Sequence, residues 1–319
     1  MFTTLHWLIF KLAHWLIKNI IKTLITIVGP TAIGKTALAI EVAKAYDTAI
    51  ISADSRQFYR EMAIGTAKPS RMELQAAPHF FIDSLSILDD YSAGDFEREA
   101  LAKLDDLFSY KNVVVMVGGS GLFINAVCEG LDELPRPLPG IRESLNEQYK
   151  ERGLTFIQEE LKRKDPDYYQ EVDIHNPQRI IRALEVYEST GKPFSFFRRD
   201  KSNPRPFQIL KIGLNTERSV LYNRINKRVD LMMQQGLLEE VKMLIPYKKR
   251  PPLLTVGYAE LFDYLDGKYT LEAAVDKIKQ HTRQFAKRQI TWFKKDSNTH
   301  WFEPSQSTEI ISFLTDTLK

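Results

Sequence analysis

Cysteine is nearly missing from this chain, which has Cys128 alone among its 319 residues. A single cysteine excludes an intrachain disulfide and any metal site built from paired cysteines, and it fits a reducing compartment. Strong net charge is missing too, since the formal net charge is +3, and the sequence contains no internal repeat and no low-complexity tract. These absences argue against a disulfide-rich secreted domain, a zinc finger, a solenoid or a disordered polyelectrolyte.

The sequence also lacks a long uninterrupted hydrophobic run. Residues 1–22 are apolar, but Lys11, Lys18 and Lys22 interrupt them, whereas a membrane-spanning helix needs about 20 apolar residues in succession. The segment does not end in the small residues of a signal-peptide cleavage site either. We therefore expect a cytoplasmic protein with no membrane partner, and residues 1–22 as an N-terminal extension. An amphipathic surface helix is the alternative for this segment.

Strand-like and helix-like runs alternate along the first part of the chain, which predicts βα units around a parallel sheet. Residues 131–204 have helical patterns and no strong strand, and a further strand candidate follows at residues 207–214. The predicted fold class is α/β: a P-loop NTPase-like parallel sheet flanked by helices, with a smaller helical insertion domain. We expect residues 23–130 and 205–319 to form the catalytic core with the C-terminal helices, and residues 131–204 to form the insertion domain.

The most informative motif joins the first strand to a helix. Residues 29–36 have the sequence GPTAIGKT, after the apolar run 24–28 and before an amphipathic run. This strand–loop–helix context is that of a phosphate-binding P-loop, in which backbone amides at the start of a helix converge on oxyanions. Lys35 is expected to reach the phosphates, and Thr36 is expected to hold a Mg²⁺ ion.

Asp54 follows the strand candidate at residues 48–52, which we expect beside the strand that carries the phosphate loop. Open α/β sheets bind their ligands at the carboxyl ends of the strands, so this carboxylate is a candidate general base or metal ligand. A helix N-cap is the alternative. The segment Gly118-Gly-Ser-Gly121 ends another strand candidate, at residues 112–117. It either contributes Ser120 to the site or makes a tight turn with Ser120 as a helix cap.

Basic residues are concentrated late in the chain. Residues 176–228 contain twelve Lys or Arg against four Asp or Glu, and residues 277–295 contain seven Lys or Arg and no acid. These segments could hold a polyanion, and solvated helix faces are the alternative. In the second segment Ile278, Phe285 and Trp292 recur every seven residues and are expected to pack inward. An outer basic face then remains, formed by Lys279, Arg283, Lys287 and Lys294.

Taken together, the motifs resemble those of the bacterial tRNA dimethylallyltransferases, also called tRNA isopentenyltransferases. The resemblance extends from Leu24 to about Phe302 and includes the segments at 29–36, 51–59, 64–69, 91–96, 117–123, 176–185, 256–258 and 282–292. It implies transfer of a dimethylallyl group from dimethylallyl diphosphate to the N6 amine of the adenine 3′ of the anticodon in tRNA, with release of diphosphate. Mg²⁺ is the implied cofactor, tRNA is the implied partner through its anticodon stem-loop, and we expect a monomer.

The resemblance also implies roles for individual residues. The implied catalytic residues are Asp54 as the base for the amine proton, Ser120 where the family commonly has threonine, and Lys35. The implied diphosphate-binding residues, of which Thr36 also binds the metal, are Gly29, Thr31, Ala32, Ile33, Gly34, Lys35 and Thr36. The implied tRNA-binding residues are Asp54, Ser55, Arg56, Gln57, Arg142, Gln178, Arg179, Ile180, Ile181, Arg182, Arg283 and Arg288, although Arg283 or Arg288 could reach the diphosphate instead.

Two other functions compete with this interpretation. A small-molecule or nucleotide kinase would bind ATP on the same loop, use Asp54 to orient an acceptor hydroxyl and use the helical insert as a lid. The basic surfaces and the segment 178–182 argue against it, since a small acceptor does not need them. A non-catalytic RNA-binding protein would not need Gly34-Lys35-Thr36 or Asp54. Two departures from the family are Ile33, in place of a small or polar residue, and Ala259, in place of a common basic residue.

Overall fold

A six-stranded parallel sheet forms the centre of the first of two compact units. The computed structural model describes residues 21–132, 134–198 and 204–319, so most of the expected N-terminal extension lies outside the described residues. All strand pairs are parallel, and the spatial order is β3-β2-β4-β1-β5-β6. The strands are β1 (Thr23–Val28), β2 (Ile50–Ser52), β3 (His79–Phe80), β4 (Val113–Val117), β5 (Gln208–Leu214) and β6 (Thr299–Phe302).

Strand β1 is buried along its whole length because helices cover both faces of the sheet. Its side chains alternate between two hydrophobic cores, as the two-residue period of a strand requires. Leu24 and Val28 belong to one core, and Ile25 and Ile27 belong to the other. This arrangement explains why the strand is a continuous apolar run in the sequence, and it fixes the start of the phosphate loop at Gly29.

Thirteen α-helices occur among the described residues, with two short 3-10 helices at Ile245–Tyr247 and Pro251–Leu253. The first core is covered mainly by the helices that follow β3 and β4 and by later helices, and the second core lies under the first helix and the last. The helices are α1 (Lys35–Ala45), α2 (Arg71–Ala76), α3 (Ala93–Phe108), α4 (Gly121–Glu129), α5 (Ile141–Lys164), α6 (Pro166–Glu171), α7 (Pro177–Thr190), α8 (Phe194–Phe197), α9 (Arg218–Gln234), α10 (Leu237–Met243), α11 (Tyr258–Leu265), α12 (Leu271–Phe293) and α13 (Ser307–Thr317).

The chain divides into two compact units. The first unit contains Met1–Cys128 and Arg205–Lys319, and the second contains Glu129–Pro204. The described part of the second unit contains helices and no strand, with a core that includes Ile157, Leu161 and Leu184. Its longest helix, α5, is interrupted at Gly153, whose φ of 80° is outside the helical range. No helix in the described ranges is long and apolar enough to cross a membrane.

The position of β2 corrects the expectation that this strand lies next to the strand that carries the phosphate loop. Asp54 follows β2, but β2 is not next to β1, because β4 lies between them. The sheet order brings the end of β4 into the centre of the site. Ala53 continues the ladder beyond β2 by donating its backbone N–H to the carbonyl of Val117 at 2.7 Å. Asp54 therefore lies beside the Gly118–Gly121 segment, and that segment lies beside the phosphate loop.

Candidate active site

The phosphate loop makes its turn with residues of unusual backbone conformation. Gly29 has a φ of 145° and Gly34 a φ of 108°, and a Cβ atom on Gly29 would lie 2.6 Å from the carbonyl oxygen of Leu214. Ala32 has a φ of 63°, which is uncommon for a residue other than glycine. Helix α1 begins directly after Gly34, and no side chain caps its first turn. The free amides at this end of the helix face a cavity and can bind an anion.

The Lys35 side chain is held over the loop. Its ammonium donates a hydrogen bond to the carbonyl oxygen of Pro30 at 2.7 Å. Burial lowers the pKa of Lys35 to about 8, the Asp54 carboxylate opposes this shift, and Arg228 adds to it. A charged lysine in this position lacks part of its hydration, so a bound phosphate would gain more from it than from an exposed lysine.

Asp54 starts a short turn that the Ser120 hydroxyl supports. The Asp54 carboxylate accepts a hydrogen bond from the backbone N–H of Arg56 at 3.0 Å. The Ser120 hydroxyl accepts one from the backbone N–H of Ser55 at 3.0 Å and donates one to the Ser55 hydroxyl at 3.0 Å. Gln57 donates from its side chain to the carbonyl oxygens of Thr66 and Ala67 at 3.2 and 3.1 Å. The predicted site residues on both segments are thus brought together by direct contacts.

Gln289 of α12 connects the phosphate loop to the segment after β4. Its side-chain oxygen accepts a hydrogen bond from the backbone N–H of Thr31 at 2.8 Å, and its side-chain nitrogen donates to the carbonyl oxygen of Gly119 at 2.9 Å. A Cβ atom on Gly119 would lie 2.3 Å from that nitrogen, so only glycine allows the approach. The Thr31 amide is already satisfied by Gln289, which leaves the later loop amides for an anion.

Two adjoining cavities open around these residues in the first unit. The phosphate-loop cavity, of about 360 Å³, is bordered by residues 31–37 together with Asp54, Lys68 and Arg228. The apolar cavity, of about 410 Å³, is bordered chiefly by hydrophobic and aromatic side chains. Its apolar members are Leu122, Phe123, Val229, Met232, Leu237, Val256, Ile278, Phe285, Trp292 and Phe293.

The same residues border both cavities where they meet. Asp54, Arg228 and Gln289 belong to both, as do Thr31, Thr66, Ala67, Met232 and Phe285. Gly29 belongs to neither lining. Ile33 borders the phosphate-loop cavity, and its side chain is fully buried in the core beneath the loop. The site therefore has one end lined by uncapped helix amides and basic side chains, an apolar end and a carboxylate at the junction.

On helix α12 the predicted inward packing is confirmed for Ile278 and wrong for Phe285 and Trp292. Ile278 is buried, but Phe285 and Trp292 remain 39% and 37% exposed and border the apolar cavity. The buried positions on the later part of the helix are Ala286, Gln289 and Phe293. A strict seven-residue repeat drifts around a straight helix of 3.6 residues per turn, so the repeat does not stay on the core side.

The basic residues of α12 have different surroundings. Arg288 is exposed and borders the apolar cavity. Arg283 donates to the side-chain oxygen of Asn226 at 2.7 Å and borders neither cavity. Lys279 pairs with Asp230 at 2.6 Å. Of the two arginines that sequence alone could not separate, Arg288 is the one at the site.

The second unit contains a compact arginine cluster around a buried carboxylate. Only 3% of the Glu185 side chain is exposed, and it forms ion pairs with Arg142 at 3.2 Å and Arg182 at 2.7 Å. Arg142 also donates to the side-chain oxygen of Gln178 at 3.3 Å. The two guanidinium groups are partly exposed, so Glu185 holds them in place at the surface.

The prediction that Ile180 and Ile181 bind tRNA requires a correction. Both side chains are fully buried in the core of the second unit, so they are not accessible to an RNA strand. The basic and polar residues on the other faces of α7 are the candidates for such contacts. The segment 178–182 is amphipathic, and its apolar members form the core of the unit.

Comparison with known proteins assigns the sequence to a family. A family model described as IPP transferase matches residues 57–296. A tRNA dimethylallyltransferase of Christiangramia forsetii is 54% identical over 288 residues, which cover 90% of this chain and 95% of the relative. One from Flavobacterium johnsoniae is 48% identical and covers 93% of this chain and 99% of the relative. The chain belongs to the IPP transferase family.

Solved structures agree with this assignment. The crystal structure of a tRNA isopentenylpyrophosphate transferase from Bacillus halodurans has a TM-score of 0.70 at 35% identity and covers 93% of this chain and 97% of that chain. A eukaryotic dimethylallyltransferase described as acting on tRNA has a TM-score of 0.74 at 24% identity, which supports the fold alone. The expected fold class, a P-loop NTPase-like parallel sheet, and the family resemblance are both confirmed.

Sequence reasoning missed Arg228 in this IPP transferase family member. Arg228 borders both cavities and donates to the Thr31 hydroxyl at 3.2 Å. Burial lowers the pKa of its guanidinium, and the Asp54 carboxylate opposes the shift. Arg224, one helical turn earlier, donates to the carbonyl oxygen of Ile33 at 3.2 Å. The sequence did contain one indication of this role, a pair of arginines four residues apart at the edge of a buried helix face. Charged side chains in such positions usually have a hydrogen-bond or ion-pair partner.

Proposed function

We propose that this chain is a tRNA dimethylallyltransferase. In this proposal it transfers a dimethylallyl group from dimethylallyl diphosphate to the N6 amine of the adenine 3′ of the anticodon and releases diphosphate. The curated relatives named above are called tRNA dimethylallyltransferases. The single observation that carries the proposal is the position of Asp54 at the junction of an anion-binding cavity and an apolar cavity.

The phosphate-loop cavity suits the diphosphate of the donor. The free amides at the start of α1, the Lys35 ammonium and the Arg228 guanidinium all border it. These groups are fixed before the reaction, so they can stabilise negative charge as the diphosphate leaves without first reorganising. The adjoining apolar side chains provide a water-poor wall for the dimethylallyl group.

The apolar cavity suits a base removed from its stack. An adenine in an anticodon loop must be flipped out before its amine can be alkylated. Phe123, Phe285 and Trp292 provide aromatic faces in this cavity, and stacking on such faces offsets the lost base stacking. A single-stranded loop allows this flip at lower cost than a duplex.

Asp54 is assigned as the base that accepts the amine proton. The nitrogen lone pair forms the new bond to the allylic carbon, and the electron pair of the breaking carbon–oxygen bond leaves with diphosphate. The N6 proton passes to the Asp54 carboxylate, whose turn is fixed by the contact with the Arg56 amide. The Ser120 hydroxyl holds the next residue, Ser55, and thereby supports this turn.

Mg²⁺ is proposed as the cofactor, with the Thr36 hydroxyl as its one proposed protein ligand. Among residues 21–132, 134–198 and 204–319, no group of three or more His, Cys, Asp or Glu is arranged to hold a metal. Mg²⁺ keeps several waters and often binds through few protein ligands and substrate phosphates. The Thr36 hydroxyl at the start of α1 would be its ligand, and the ion would neutralise charge on the leaving group.

The second unit is proposed to contact the anticodon stem-loop. Its partly exposed arginines, Arg142 and Arg182, are pre-positioned by Glu185, and Gln178 and Arg179 lie with Arg182 on α7. Phosphate contacts of this kind dominate the affinity of protein–RNA complexes. We further propose that the protein is a monomer and that it is cytoplasmic, a location that follows from the proposed tRNA substrate. Light scattering after size-exclusion chromatography would test the oligomeric state.

A labelled-donor assay tests the reaction. The purified chain is incubated with unmodified tRNA and Mg²⁺, together with either radiolabelled dimethylallyl diphosphate or ATP labelled in its γ-phosphate. We expect label in the RNA from the prenyl donor only, and nuclease digestion should place it on the adenine 3′ of the anticodon. Label transfer from ATP to a small acceptor, with none from the prenyl donor to RNA, would establish the kinase instead.

A further inference from the structure

Glu240 is a buried carboxylate outside the linings of both cavities. Only 7% of this residue is exposed, and it lies on α10, just after Gly236, where that helix begins. Carboxylates are rarely buried without partners, because desolvation disfavours their charged form. Glu240 has an unusually complete set of donors, and all of them come from distant parts of the chain.

Three consecutive backbone amides donate to the Glu240 carboxylate. Those of Ala63, Ile64 and Gly65 lie 3.0, 2.8 and 3.1 Å from its oxygens. The Tyr258 hydroxyl donates a fourth hydrogen bond at 2.6 Å. Burial and the neighbouring carboxylate raise the pKa of Tyr258, so its hydroxyl keeps the proton that it donates.

These donors belong to two walls of the substrate site. The loop at residues 63–65 continues into Thr66 and Ala67, which border both cavities. Tyr258 follows residues 255–257, which border the apolar cavity from another side. Gly65 lies directly on the Tyr258 ring, where a Cβ atom would come within 2.5 Å of a ring carbon. The carboxylate therefore connects two walls whose contact leaves no free space.

The same loop also contacts the catalytic segment. Thr66 and Ala67 accept hydrogen bonds from the Gln57 side chain, three residues after Asp54. A shift of the loop would move the wall of both cavities and the segment that carries the base. Shifts of about 1 Å in such supporting residues can cost about a hundredfold in rate.

We propose that Glu240 is a positioning residue that sets the separation of the two cavity walls and so determines the binding of both substrates. This inference rests on the proposed prenyl transfer. A carboxylate is required because only it offers two acceptor oxygens without a donor. In either orientation, Glu240→Gln would place its side-chain NH2 against at least one of the three backbone N–H groups, and the wall would have to move.

The test separates positioning from stability by comparing KM with Vmax. A variant that is merely less stable has fewer active molecules, so its Vmax falls and its KM is unchanged. For Glu240→Gln we expect the KM for the stem-loop and the KM for dimethylallyl diphosphate both to rise about tenfold. Tyr258→Phe removes one of the four donors and should raise both KM values by a smaller factor. If Glu240→Gln does not fold, the KM values of Tyr258→Phe test the positioning role instead.

Glu61 provides a matched control. Its carboxylate accepts hydrogen bonds from the Ser86 hydroxyl at 2.6 Å and the Ile87 amide at 3.0 Å, and it borders neither cavity. Glu61→Gln should lower the melting temperature and leave both KM values unchanged. Unchanged KM values in Glu240→Gln and Tyr258→Phe would overturn the proposal. A wild-type chain that transfers no label to RNA would instead refute the prenyl transfer itself.

Discussion

Gln289 accepts a hydrogen bond from the backbone amide of Thr31 at 2.8 Å, although the two residues are far apart in the sequence. The same side chain donates to Gly119 at 2.9 Å, and 6% of the residue is exposed. One buried amide thus connects α12 with the two loops that end β1 and β4. The phosphate loop owes its position in part to a helix near the end of the chain.

Replacement of Gln289 by leucine should weaken donor binding. Gln289→Leu leaves the Thr31 N–H and the Gly119 carbonyl without partners, and each buried unsatisfied group costs about 1–3 kcal/mol. We expect a lower melting temperature and a weaker affinity for dimethylallyl diphosphate in calorimetric titrations. Gln284→Leu, at an exposed position of the same helix, is the control. Equal donor affinities in the two variants would show that the connection does not act on the phosphate loop.

Asp54→Asn should abolish most of the turnover and preserve RNA binding. Asparagine keeps the shape of aspartate, and its oxygen can still accept from the Arg56 amide, so the turn should persist. It cannot act as a base, and loss of general base catalysis costs about a hundredfold or more. Single-turnover prenylation of a stem-loop, with binding measured separately, tests this prediction. Near-normal turnover would remove Asp54 from the chemistry.

Donor affinity should depend on pH through Lys35. Burial holds its pKa at about 8, below the usual lysine value of 10.5, so the free enzyme loses this charge as pH rises through about 8. The folded chain then binds fewer protons than the unfolded chain between these values, and Lys35 makes the free energy of unfolding rise with pH in that window. Affinity for dimethylallyl diphosphate should fall between about pH 7 and about pH 9.5. Lys35→Arg should remove this dependence because arginine stays charged; an unchanged pH profile in that variant would contradict the assignment.

Sequence patterns were sufficient to predict those features of this protein that depend on neighbouring residues. The apolar run before Gly29, the glycines of the loop and the start of α1 depend on neighbouring residues only, and the structure has all of them where the motif predicts. Strand order was not predictable in this way, because nothing near residues 48–52 encodes that β4 lies between β2 and β1.

Residues that depend on distant partners were the ones that sequence reasoning assigned wrongly or missed. Ile180 and Ile181 lie in a basic segment, but the core of their own unit buries them. Phe285 and Trp292 look like core residues, but they border a cavity that only the folded chain creates. Arg228 is one of many basic residues in its segment, and its place at both cavities and its contact with Thr31 arise only in the folded chain.

The salt dependence of RNA binding tests the role of the basic surfaces. Each protein–phosphate contact releases counterions, so the affinity for an anticodon stem-loop should fall steeply with added salt. Arg182→Ala and Arg283→Ala should each weaken binding and reduce the slope by roughly one contact. Arg163→Ala is the control, since Arg163 is an exposed arginine of the second unit that pairs with Glu160 outside the predicted RNA-binding set.

The comparison between Arg182 and Arg163 is the informative part of this measurement. Both arginines are single positive charges on helices of the same unit, so a general electrostatic attraction would be reduced equally by either substitution. Arg182 differs because the buried Glu185 carboxylate holds its guanidinium at 2.7 Å, which lowers the entropy lost when it binds a phosphate. We therefore expect the larger loss of affinity for Arg182→Ala. A flat salt response of the wild-type chain, or equal losses in both variants, would remove this surface from RNA recognition.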